Sequence, residues 1–162
     1  MGAAMLAVAI ATLLGTFLGQ LTLNEHARHL AWATNDASRV MEQLRLRNTN
    51  PCVADPNPSA AVPAATGVGT CTAPIVSWDD WLQRCGEGKS IQPNPAVNEL
   101  VVVTSSGADP LTVTVAVCWR HRGRTLGECT WNGALAANPG AGGDVQVTES
   151  PAMLTTFMTC RR

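Results

Sequence analysis

Through the first 23 residues no charged side chain occurs. Thr12, Thr16, Gln20 and Thr22 are the polar positions among Ala, Leu, Val, Ile, Met, Phe and Gly. A helix of that length runs about 35 Å, enough to cross a bilayer core of about 30 Å. A cleaved signal peptide would carry a basic start, a shorter apolar core and a small-x-small cut site. Here no Lys or Arg precedes the run and the run is too long, so a retained membrane segment is expected. Ala11, Gly15 and Gly19 recur every fourth residue, which places small side chains on one face where another helix can approach closely.

Beyond this run the chain becomes charged, yet apolar or small residues continue at alternating four- and three-residue steps. They are Leu23, Ala27, Leu30, Thr34, Ala37, Met41 and Leu44. That spacing predicts one buried helix stripe, with Glu25, His26, Arg28, Arg39, Glu42, Arg45 and Arg47 mostly off it. No Pro occurs before Pro51 and no Gly between residues 20 and 66, so a single helix is expected from near residue 2 to about residue 47. Its length would be roughly 70 Å. Asn48-Thr49-Asn50-Pro51 supplies the stop.

The period then changes. Residues 51–74 are rich in Pro, Gly, Ala and Ser and read as a surface loop. The segment Trp78–Arg84 reads as a short helix, with Ser77 as its cap and Asp79 and Asp80 at the positive end of its dipole. Strands are expected over 99–105, 111–120, 125–131 and 153–160, with a hairpin signal in Ser-Ser-Gly-Ala-Asp-Pro between the first two. In 111–120, Leu111, Val113, Val115, Val117 and Trp119 alternate with Thr112, Thr114, Ala116 and Cys118. This predicts an antiparallel sheet with one dry face, packed on the amphipathic half of the long helix. The fold class is therefore α+β, divided into a membrane half-helix (1–23), an amphipathic half (24–47) and a small globular β domain (48–162).

All six cysteines, at 52, 71, 85, 118, 129 and 160, follow the apolar run. An even number confined there points to disulfides in an oxidising space, and six cysteines allow fifteen connectivities. One pair follows from geometry. A two-residue turn at Gly123-Arg124 would set residues whose numbers sum to 247 opposite each other, and Cys118 and Cys129 satisfy that condition. Opposed antiparallel residues lie within disulfide range. By elimination, Cys52 then pairs with Cys71 across the loop, and Cys85 with Cys160.

Composition narrows the chemistry. With 11 Lys+Arg against 12 Asp+Glu, the chain has no overall pull toward nucleic acid. It has no Tyr and only 2 Phe, which argues against a stacking platform for bases. No Cys-x-x-Cys pair exists, and Glu25-His26-Ala27-Arg28-His29 is not a zinc-binding His-Glu-x-x-His. His26 and His29 read as solvated helix residues. Ser105 and Ser106 lack a nucleophile-elbow context, and Gly140 to Gly143 has no Lys and leads into no helix. No catalytic, metal or cofactor-binding residue is expected, and an enzyme is not. One basic cluster stands out: Arg120, His121, Arg122 and Arg124 around a hairpin tip, a candidate contact for an anionic surface.

Three stretches resemble the type IV pilin superfamily, closest to its PilV-type minor pilins and type II secretion pseudopilins. They are the 41 residues from Met5 to Arg45, ending in Met-Glu-Gln-Leu-Arg; Trp-Asp-Asp-Trp-Leu-Gln-Arg before the sheet; and Leu-Thr-Val-Thr-Val-Ala-Val-Cys-Trp-Arg-His-Arg-Gly at a strand and its turn. The family opens with a basic leader, an aromatic and a Thr-Leu-x-Glu run. Met1-Gly2-Ala3-Ala4 stands in that place and no acid precedes Glu25, so neither leader processing nor the glutamate's role is carried to any residue. The resemblance implies a subunit held in the bacterial inner membrane with its C-terminal domain in the periplasm, and outside the cell after assembly. Its implied partners are other pilin or pseudopilin subunits and the assembly machinery.

Overall fold

The computed structural model describes residues 2–47, 75, 77–85, 91, 98–106, 110–127, 129–137 and 151–159. The elements are helices α1 (Gly2–Arg47) and α2 (Trp78–Arg84), and strands β1 (Glu99–Ser106), β2 (Leu111–His121), β3 (Arg124–Leu126), β4 (Cys129–Trp131), β5 (Leu135–Ala137) and β6 (Met153–Met158). The chain divides into two compact units, Met1–Ala31 and Trp32–Arg162. The class is α+β, a long N-terminal helix with a small antiparallel sheet.

In the first unit, the uncharged stretch is helical throughout, and its large apolar side chains from Met5 to Leu21 are exposed. Among the described residues α1 is the one helix long and apolar enough to cross a membrane. His29, expected to be solvated, is instead buried, at 4% exposure.

In the second unit, β2 is the centre of the sheet. It pairs antiparallel with β1 along most of its length, and on its other side with β6 at one end and β3 at the other. Val113, Val115, Val117 and Trp119 are buried on one face, joined by Val101 and Val103 of β1. The helical segment after Ala31 covers this face with Ala33, Ala37, Val40, Met41 and Leu44, and Arg45 Nη2 donates to Thr156 Oγ1 on β6 at 3.1 Å. Helix α2 adds Trp78 and Leu82 to the same core. It is capped as its sequence dictates: Asp80 N–H donates to Ser77 Oγ at 3.1 Å.

The buried helix face differs from the expected stripe. Ala37, Met41 and Leu44 are buried as anticipated, but Thr34 and Ala27 are exposed, and Leu23 is 70% exposed. Ala33 and Asp36 take the places inside. The expected positions follow a seven-residue repeat, whereas a straight helix of 3.6 residues per turn drifts about 20° per heptad. Within the second unit, this drift is enough to turn Thr34 outward and bring Ala33 and Asp36 onto the covered face.

The sheet departs from expectation in three places. Over Val115–Trp119 both faces of β2 are buried, including Ala116 and Cys118, because a separate ribbon of β4 and β5 is fastened to the second face through Cys118. The strand expected over 125–131 is two strands, β3 and β4, separated at Gly127, whose φ of 97° departs from extended backbone. The hairpin turn is Arg122–Gly123, one residue earlier than expected. His121 faces Arg124 and Arg120 faces Thr125, so facing residues sum to 245 rather than 247. Both turn residues have positive φ, 50° and 80°, the signature of a type I′ turn that matches the strands' twist. The break at Gly127 offsets the changed register, and Cys118 and Cys129 are disulfide-bonded with Cα atoms 6.2 Å apart. Cys85 is also disulfide-bonded. Cys52, Cys71 and Cys160 lie outside the described residues, and so do the partner of Cys85 and the expected loop over 51–74.

Candidate functional site

Three features carry chemistry: the bare apolar surface of the N-terminal half-helix, the basic tip of the β2–β3 hairpin and an acidic crevice beside α2.

The apolar surface satisfies most of its own polar groups. A helix satisfies its own backbone, which a bilayer demands. Its hydroxyls are satisfied as well: Thr12 Oγ1 donates to Ala9 O at 2.9 Å, Thr16 to Leu13 O and Thr22 to Gly19 O, each at 2.8 Å. Met5, Leu6, Val8, Ile10, Leu13, Leu14, Phe17, Leu18 and Leu21 all point outward. At about 1.5–3 kcal/mol for each large apolar side chain removed from water, burying these chains contributes on the order of 20 kcal/mol. Such a surface requires a covering. Ala11, Gly15 and Gly19 fall on one side of the helix, and a Cβ added at Gly15 or Gly19 meets nothing within 4 Å. The groove they leave is therefore open.

At the hairpin tip, Arg120 is fixed by two contacts. Its Nη2 donates to Gly123 O at 2.9 Å, and its guanidinium carbon lies 3.9 Å from the ring centroid of the half-exposed Trp131, a cation–π contact. Since Trp131 belongs to β4, the Cys118–Cys129 bridge also holds the aromatic beneath the arginine. Arg122 and Arg124 are exposed and His121 is partly so. The register puts Arg120 and His121 on opposite faces of the hairpin, so the cations radiate around the tip.

The crevice brings together residues that sequence reasoning left apart. Asp36 of α1, Asp79 of α2 and Glu99 of β1 line it, with Leu82, Val101 and Val117. Asp36 is 4% exposed. Asp79 Oδ1 accepts the Val101 N–H at 2.8 Å. Burial is the main cause that pushes the Asp79 carboxyl up from 3.8 to about 7. The nearby Asp36 adds to that shift, while the hydrogen bonds from Val101 and from Asp79's own backbone oppose it. The available signal was helical phase: at 3.6 residues per turn Asp36 falls on the face of Ala33, Ala37 and Val40. Among the described residues no group of three His, Cys, Asp or Glu side chains is arranged to hold a metal ion.

No family model, curated protein or solved structure matches this chain.

Proposed function

We propose that the chain is a structural subunit of a type IV pilus-like fibre, a minor pilin or pseudopilin that primes or modifies the polymer. Before assembly it sits in the bacterial inner membrane as a single-pass protein with its C-terminal domain in the periplasm. After assembly it lies outside the cell. The observation that carries this reading is the N-terminal half-helix, uncharged and largely apolar around its whole surface and open at Gly15 and Gly19. Such a surface is stable in lipid or among other such helices, and a fibre subunit passes from the first setting to the second. The Cys118–Cys129 bridge supports export, because disulfides persist in oxidising compartments. No step here needs a cofactor or a nucleic acid; the partners are neighbouring subunits and the machinery that extracts them from the membrane.

The test is fractionation. Fibres sheared from cells, separated from membranes and probed for this chain should contain it, at less than stoichiometric amount. A second reading has its own observation, the pinned arginine and exposed cations of the β2–β3 tip. It makes the chain a membrane-anchored exported binding module that never polymerises. Abundance in membranes combined with absence from fibres would decide for that alternative.

A further inference from the structure

Helix α2 has only seven residues; Trp78 and Leu82 seat it in the core, and one side chain near its start ties it to the edge of β1 as well. The Val101 N–H lies on the edge of β1 that faces away from β2, where the ladder supplies no carbonyl. The Asp79 carboxylate takes that hydrogen bond instead, at 2.8 Å. Asp79 thus closes the edge of β1 and ties α2 to it. The tie lies beside a crevice about the size of one water molecule. From α1 the buried Asp36 faces it, from β1 Glu99, and from β2 only the apolar Val117. On α2 itself, the nearest cation is Arg84, which is engaged elsewhere: its Nε lies 2.7 Å from Asp80 Oδ1. Among the described residues lining the crevice there is no cation.

We propose that Asp79 is a proton-operated latch between α2 and the edge of β1. With its carboxyl protonated, the carbonyl oxygen accepts the Val101 N–H and α2 stays seated. On ionisation, a second negative charge shares the crevice with Asp36 and faces Glu99, and α2 loosens from the strand edge. The balance lies near neutrality, since the largely desolvated carboxyl titrates at about 7 against 3.8 when free. The folded state therefore holds the proton between those values while the unfolded chain has released it. The stabilisation is full at acid pH and is lost as pH rises from about 4 through about 7. Above that it is flat. A domain outside the cytoplasm experiences the pH of its medium, so the latch couples the seating of α2 to surroundings. The latch stands whether or not the chain enters fibres.

Hydrogen exchange of the full-length chain in detergent micelles, from pH 5.5 to 8 and corrected for intrinsic exchange, tests this. Protection of the Val101 amide and of α2 should fall about tenfold or more over that range, while β2 and β6 keep theirs. Asp79→Asn retains a carbonyl acceptor and cannot ionise, so its protection should be independent of pH. Asp36→Asn should move the midpoint downward. Flat protection in the natural chain, an unchanged pH profile in Asp79→Asn, or an equal loss across β2 and β6 would each overturn the latch.

Discussion

Among the described residues, Arg122 is the one non-glycine at positive φ. Arginine has no side-chain group suited to that conformation, whereas Asn tolerates it and is preferred at the first position of a type I′ turn. Arg122→Asn should therefore raise stability, by about 0.5–1 kcal/mol, visible as a higher melting temperature. If the guanidinium instead helps to hold the tip, melting will fall, and the side chain's part in structure will outweigh its backbone cost. At this scale the sequence was legible wherever a residue acts on its own neighbours. Ser77, three residues before Asp80, announced the cap that the structure contains. Asp36 was legible only through helical phase, because a polar side chain enters a core when other elements cover its helix face, and an offset of one residue decides which face that is.

At the scale of elements, the phase of α1 can be tested directly. Ala33 is fully buried while the adjacent Thr34 is exposed. Ala33→Leu should overpack the helix–sheet interface and cost about 1–3 kcal/mol, whereas Thr34→Leu should change melting little. The reverse order would restore the seven-residue stripe that the sequence suggests. The β2–β3 region makes a related point. A two-residue turn and the Cys118–Cys129 pair were both readable, yet the assumed register was wrong by two in the sum, and the pair forms because Gly127 breaks the strand. Two deviations cancel, which spacing alone does not disclose. Strands β4 and β5 have three residues each, too short for a period to register. Since the bridge fastens this ribbon to the central strand, Cys118→Ser should destabilise the domain by about 2–5 kcal/mol in thermal melts. Unchanged melting would mean that the ribbon is held by its packing alone.

For the whole molecule, the division of labour is written in the N-terminal distribution of charge and apolarity: no charged residue occurs through residue 23, where nearly every side chain is apolar or small, and charges begin at Glu25. That pattern made the apolar helix legible. It does not identify any neighbour of the helix, since any close-packing partner leaves the same trace of small residues. On the fibre-subunit proposal, the open face at Gly15 and Gly19 lets the chain's own folding be tested apart from assembly. A Cβ added at either glycine meets nothing within 4 Å, and both glycines lie in the Met1–Ala31 unit, so Gly15→Leu with Gly19→Leu should leave the Trp32–Arg162 unit folded, with its Cys118–Cys129 bridge intact and its melting unchanged. The added Leu also raises the apolarity of the membrane half, so membrane insertion should persist. What the double variant loses is close approach by another helix, and its amount in sheared fibres should drop by about tenfold or more, as a loss of roughly 1.4 kcal/mol or more in subunit contact would produce. Incorporation at the natural level would show that neighbours pack on another side of α1. A fall in melting would instead place the glycines in the chain's own fold.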